Sequence, residues 1–201
     1  MGTESLKEGG GAPAEGAPPP GPSFDARLFR SALGRFASGV TIITASYEGQ
    51  THGMTANAFV SVSLEPPLVL VSLDNRSYMH KILPSAGHYG VSVLAENQER
   101  LSNHFAGRTQ EGLHIRFTER ENIPLMEGAV AYFAVKVLDV HPAGDHTLYV
   151  GRVLHFESRD EKPLLFYSGR YHHVREKIGP TAFPQDEFSL FSIGNVDPPI
   201  K

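Results

Sequence analysis

Hydrophobic residues along the chain recur with two periods, and the switches between them mark the elements. In FDARLFRSALGRFASG (24–39), Leu28, Phe29, Ala32, Leu33 and Phe36 fall at helical spacing. Ser23 or Asp25 stands where a cap belongs, and Gly39 is placed to end the helix. From Val40 the period shortens. VTIITAS is rich in β-branched residues, YEGQ reads as a turn, and a strand resumes near Thr51. AFVSVSL alternates, with Val60, Val62 and Leu64 on one face and Phe59, Ser61 and Ser63 on the other. The first set is expected to be core, together with Leu68 and Leu70. After Pro66-Pro67, LVLVSL is apolar on both faces, as a central strand is. Pro67 fits only at the beginning of that strand, because it has no N–H for the ladder.

Downstream, SYMHKIL predicts a short helix stopping at Pro84, and HYGVSVL another strand. ENQERLSNHFAG predicts a helix with Leu101 and Phe105 one turn apart on its inner face and Gly107 at its end. Residues 108–128 show no clear periodicity and are expected to form a long loop of the kind that is functional or mobile. AVAYFAVKVLDVH and HTLYVGRVLHFES read as two long strands joined by PAGD, and PLLFYSGRYHHV as one short strand and a polar, aromatic turn. Strands follow one another instead of alternating strictly with helices, which argues against a doubly wound parallel sheet. The fold class expected is mainly β with peripheral helices, an antiparallel barrel whose closure removes exposed edges.

Composition sets the boundaries. The 201 residues, 40% of them hydrophobic, suffice for one packed domain. Residues 1–23 are dominated by Gly, Pro and Ala and are expected to be a disordered tail, with the domain over 24–178 and a Pro-rich extension over 179–201 packing on its surface. A net charge of −4 with scattered Lys and Arg gives no footprint for nucleic acid or an anionic membrane. No apolar run approaches the roughly 20 residues of a membrane-spanning helix. Cysteine is absent, so thiolate catalysis and Cys-based metal sites are excluded, and a cytoplasmic location is expected. The ten histidines include no His-Glu-x-x-His, and no metal site is expected. There is no Gly-x-Ser-x-Gly elbow for a hydrolase. Nor is there a Gly-x-Gly-x-x-Gly after a strand, so any nicotinamide is handled without a Rossmann domain.

Four stretches can carry chemistry. Small residues at Gly53, Thr55, Ala56 and Asn57 leave a strand backbone open to a flat ligand, with short polar side chains at hand; the alternative is an ordinary strand. SLDNRS offers Ser72, Asn75, Arg76 and Ser77 to a phosphate beside a helix start; alternatively Ser77 or Asp74 is simply a cap. Asp145-His146 precedes a strand where a histidine can project into a cleft, or is only a hairpin turn. FYSGRYHH offers aromatic faces and a guanidinium, or a packed surface turn.

Together these stretches resemble the flavin reductase family with an FMN-binding split β-barrel, which includes reductase components of two-component flavin-dependent monooxygenases. The matching pieces are FRSALGRFASGVTIITA, GMTANAFVSVSLEPPLVLVSLDNRS, GVSVLAENQERLSNHFAG, GDHTLYVGRV and PLLFYSGRYH, in the family's order. The resemblance implies a homodimer that transfers hydride from NADH or NADPH to FMN or FAD and hands the reduced flavin to a partner oxygenase. It implies that Gly53, Met54, Thr55, Ala56, Asn57 and Ala58 line the flavin ring. Ser72, Leu73, Asp74, Asn75, Arg76 and Ser77 then follow the ring and ribityl phosphate, and Phe105, Ala106 and Gly107 close the phosphate end. His146, with Phe166, Tyr167, Ser168, Gly169, Arg170 and Tyr171, would meet the nicotinamide nucleotide, His146 as an orienting or hydrogen-bonding group. The same barrel allows two other readings: a flavin carrier without nicotinamide turnover, and a flavin-dependent oxidase of an organic substrate.

Overall fold

The structure, a computed structural model, describes residues 24–175; the expected tail and C-terminal extension lie outside the described residues. The Asp25 carboxylate accepts from the N–H groups of Arg27 (2.7 Å) and Leu28 (3.2 Å) and starts helix α1 (Ala26–Leu33). The helix ends at Gly34, not at Gly39. Gly34 gives its carbonyl to the Ser168 N–H (2.9 Å), and Ser38–Gly39 form a short strand β1 instead. Helical spacing of Phe36 is thus the residue of a tight turn, not of a continuing helix.

Strands β2 (Thr41–Tyr47) and β3 (Gln50–Ala56) are joined by Glu48 and Gly49, both at positive φ, the turn that matches strand twist. Strands β4 (Phe59–Leu64) and β5 (Pro67–Asp74) meet at a cis Glu65–Pro66 peptide, and Pro67 opens β5 as expected. Then come helix α2 (Tyr78–Ala86), β6 (His88–Val93), helix α3 (Glu99–Phe105), β7 (Phe117–Arg120) and β8 (Ile123–Met126). The chain continues through β9 (Ala131–Ala143), β10 (His146–Ser158), β11 (Leu164–Tyr167) and β12 (Arg170–His173). Among the described residues no helix is long and apolar enough to cross a membrane.

Seven strands pair in the order β3-β2-β6-β9-β10-β5-β4, every pair antiparallel. Its two edge strands, β3 and β4, are consecutive in the chain and linked only by Asn57 and Ala58. At about 3.5 Å per residue that link brings the opposite edges of the sheet together, so the sheet must curl into a barrel with its seam at Asn57-Ala58. The mainly β, split-barrel expectation holds. β1, β11 and β12 form a separate small sheet beside it.

The barrel interior is filled by Ile43, Val69, Val71, Leu73, Tyr89, Val91, Val135 and Tyr149, with Met79, Ile82 and Leu83 of α2 packed against them. The expected core set is corrected on two strands. Val60, Val62 and Leu64 on the edge strand β4 are 52%, 40% and 71% exposed. On β5 the fully buried face is Val69, Val71 and Leu73, while Leu68 and Leu70 are half-buried. Where both faces of a strand are apolar, alternation does not say which one points inward.

Three further elements differ from expectation. Helix α2 runs past Pro84 to Gly87 at positive φ. Pro84 cannot donate to the His80 carbonyl four residues back, and the Tyr149 hydroxyl stands 3.3 Å from that carbonyl in its place. Residues 108–128 are not all loop, because β7 and β8 form a hairpin through Glu121 and Asn122, both at positive φ. β8 is wholly buried, and the Pro124 carbonyl accepts from the Thr44 hydroxyl. Finally, PLLFYSGRYHH makes two strands, β11 and β12, around a Ser168-Gly169 turn, where one was expected.

Candidate functional site

At the barrel seam, β3, helix α3 and the β11–β12 hairpin enclose a cleft of about 240 Å³. Its lining includes Thr55 and Ala56 from the end of β3 and Asn57 just after it, Ser102 and Asn103 from α3 and Ala106 at its cap, and Phe166, Gly169 and Tyr171 from the hairpin. Val40 and Arg108 complete it. Alternation along β3 assigns the faces. Met54 and Ala56 pack their side chains on the barrel core, whereas Gly53 and Thr55 face α3. A Cβ on Gly53 would lie 2.7 Å from the Phe105 ring, so the space above this glycine is taken by Phe105.

A polar chain runs along one wall. The Thr55 hydroxyl donates to the Ser102 carbonyl (2.7 Å), and the Ser102 hydroxyl, fully buried, bonds the Tyr171 hydroxyl (2.8 Å). Asn103 Oδ1 lies 3.5 Å from that hydroxyl and 3.4 Å from Arg108 Nη1. The Phe166 and Tyr171 rings meet edge to face at 5.5 Å. Asn57 is exposed and its side chain has no partner among the described residues. Flat apolar walls, an edge of hydroxyls and amides and one guanidinium suit a planar heteroaromatic ring that carries a phosphate.

The second group of expected residues lies outside the cleft, and only Ser72 adjoins the seam. The Ser72 N–H donates to the Ala58 carbonyl (3.0 Å), which ties β5 to the link where β3 meets β4. Further along, Asp74 pairs with His146 across the β5–β10 ladder. Asp74 holds Arg76 through its guanidinium (2.7 Å) and backbone N–H (2.8 Å), and these bonds pull the Asp74 carboxyl well below the usual carboxylate range. Ser77 caps α2 by accepting from the His80 N–H (3.1 Å), so Asp74 makes the turn and Ser77 the cap. Asn75 binds the β9–β10 turn, accepting from the Thr147 hydroxyl at 2.7 Å. His146 Nδ1 is held by Asp145 Oδ1 at 2.7 Å, and this contact lowers the Asp145 carboxyl. Leu73 is buried core. Gly107 adopts positive φ just after α3, and Tyr167 reaches Arg35 at 3.5 Å. Ser168 holds the Gly34 carbonyl, and Arg170 opens β12 on the exposed side. Among the described residues no three His, Asp or Glu side chains converge as metal ligands would.

Ser102, Asn103, Arg108 and Val40 are cleft residues that pattern reading did not single out. Leu101 and Phe105 drew attention as the helix's apolar face. The signal for the polar side was the i, i+1, i+4 set Ser102, Asn103 and Ala106, small or polar residues on one face of α3.

An antiparallel barrel with a flat-walled, partly polar cleft at its seam has a form suited to a planar nucleotide. Residues 33–175 match the family described as flavin reductase like domain. The chain is 53% identical over 145 residues to an NADH-dependent flavin reductase from a Rhodococcus species, covering 71% of this chain and 82% of that protein. It is 42% identical over 142 residues to the reductase component of a Thermus thermophilus 4-hydroxyphenylacetate 3-monooxygenase, covering 71% of this chain and 91% of the other. A solved Streptomyces globisporus NADH:FAD oxidoreductase, SgcE6, in complex with NAD and FAD fragments, superposes with a TM-score of 0.70 at 33% identity, covering 77% of this chain and 96% of its own. The chain belongs to the flavin reductase family.

Proposed function

We propose that the protein is an NADH-dependent flavin reductase that supplies reduced FMN or FAD to a partner monooxygenase. The observation that carries this reading is the seam cleft, whose walls and polar edge fit a flavin ring, in a chain whose relatives carry that activity in their names. When bound, the two nucleotides supply the chemistry, a hydride passing from nicotinamide to flavin. The protein's task is to bind, orient and exclude water. Val40, Phe166 and the backbone of Ala56 would face the ring, Thr55, Asn57 and Asn103 its polar edge, and Arg108 its phosphate. Asp145 fixes the His146 ring through Nδ1, which leaves Nε2 to orient a nicotinamide nucleotide arriving along the seam.

The exposed apolar surface supports a homodimer. Val60, Val62 and Leu64 on β4, Leu138 and Val140 on β9, and Leu154 and Phe156 on β10 are all at least 40% exposed. A cleft of about 240 Å³ also falls short of the roughly 300–1,000 Å³ of a complete ligand site, which fits a site finished by a second copy. A reaction that consumes NADH runs where NADH is regenerated, which is the basis for a cytoplasmic location.

The test is NADH consumption by the purified protein with and without added flavin. Consumption is expected only when FMN or FAD is present, and His146→Ala should raise the KM for NADH while leaving flavin affinity in place. Flavin binding without NADH consumption would identify a flavin carrier and overturn the proposal.

A further inference from the structure

The hydrogen bonds between α3 and β12 run in one direction, and that direction decides what the cleft offers a ligand. Arg108 carries donors and no acceptor, so the Asn103 atom facing Arg108 Nη1 at 3.4 Å is the carbonyl oxygen Oδ1. The same oxygen lies 3.5 Å from the Tyr171 hydroxyl, which therefore donates to it. With its proton committed there, the Tyr171 hydroxyl accepts from the Ser102 hydroxyl at 2.8 Å. Ser102 is fully buried, and its carbonyl accepts from the Thr55 hydroxyl at 2.7 Å, which anchors the chain of bonds to β3. Asn103 Oδ1 thus receives two donors, while Nδ2 has no partner among the described residues. Because Asn103 lines the cleft, what it leaves for a ligand is its N–H2 group and not its oxygen. Turning the amide over would set that N–H2 against the Arg108 guanidinium, donor against donor.

We infer that Tyr171, held by Ser102, is a positioning residue that keeps the Asn103 N–H2 turned toward a flavin in the cleft, and that this donor binds reduced flavin more tightly than oxidised flavin. The inference rests on the flavin reductase reading for the ring in the cleft. A hydride delivered to the flavin brings one proton and two electrons, both taken from the nicotinamide, which leaves oxidised. The product is an anion whose added charge spreads to the carbonyl-bearing end of the ring. A donor fixed at that end before the charge arrives stabilises the reduced state most. The Arg108 guanidinium behind Oδ1 polarises the amide in the same sense.

The test compares the full-length protein with Asn103→Ala, Tyr171→Phe and the double variant. Dissociation constants are measured for oxidised FMN by fluorescence and for dithionite-reduced FMN by anaerobic equilibrium dialysis. Asn103 is half-buried on a helix, where alanine is well tolerated, so this variant keeps the fold. Asn103→Ala is expected to lower the ratio of the oxidised to the reduced dissociation constant about tenfold. Tyr171→Phe, which removes one oxygen atom, is expected to lower it about three- to fivefold. For a two-electron couple a tenfold fall in the ratio lowers the potential of the bound flavin by about 30 mV, which a redox titration reads independently. The double variant should match Asn103→Ala alone, because Tyr171 acts through that amide. A general loosening of the cleft weakens both redox states alike and leaves the ratio at its wild-type value; that result in Asn103→Ala overturns the inference. A Tyr171→Phe loss that adds in full to that of Asn103→Ala overturns the positioning role. Chemical reduction keeps NADH out of the measurement, so a wild type that fails to oxidise NADH refutes the reductase reading while the ratio still reports on Asn103.

Discussion

Thr55 and Asn57 stand two residues apart on the same strand end, yet they differ in what they already do. The Thr55 hydroxyl donates to the Ser102 carbonyl and so fastens β3 to α3, whereas Asn57 is exposed and uncommitted. Asn57→Ala should therefore raise the flavin dissociation constant about five- to tenfold with an unchanged melting temperature. Thr55→Val should weaken flavin binding and also cost about 0.5–1.5 kcal/mol of stability, because the interior bond is lost. Fluorescence titration and urea unfolding on the two variants separate these outcomes; equal stability losses would show that Asn57 also has an interior role. Small polar residues at a strand end were legible as unusual in the sequence. The commitment of Thr55 to Ser102 was not, because it joins residues 47 apart. Gly53 shows the same limit: its missing side chain reads as room for a ligand, while the folded chain fills that room with Phe105.

At the scale of elements, long alternating strands were readable and short or two-faced ones were not. β9 and β10, each of 13 residues, repeat their period often enough to declare themselves. The four-residue strands β7 and β8 do not, and Pro124 further disguises the second. Pro84 misleads in the opposite direction, since only the folded chain brings the Tyr149 hydroxyl to the carbonyl that the proline leaves without its helical donor. The β9–β10 ribbon also contains a position at which only glycine fits. Gly151 sits at a register shift, where a Cβ would overlap Val135 and stand 2.9 Å from the Tyr89 hydroxyl. Gly151→Ala is expected to lower stability by about 1–3 kcal/mol. Gly39→Ala, where nothing lies within 4 Å of the added carbon, should change it little. Equal urea midpoints for the two variants would contradict this account of the bulge.

For the whole molecule, the curl of one sheet explains both the interior and the site. Its seam falls at Asn57-Ala58, and the cleft and the Ser72 bond lie beside it, while the Asp74–His146 pairing sits at the end of the neighbouring β5–β10 ladder. The barrel class was legible from consecutive strands; the phase of β4 and β5 was not, because it depends on which apolar face curls inward. The face left outside, with Phe156 at 70% exposure, is the one we propose a second copy covers. Light scattering should give the mass of two chains for the wild type and of one for Phe156→Glu; a single-chain mass for the wild type would refute the dimer. The central claim is hydride transfer at the seam, and an anaerobic titration of the flavin-loaded protein with NADH tests it most directly. Stoichiometric loss of the oxidised-flavin absorbance is predicted. Flavin that stays bound and oxidised with excess NADH would contradict the account.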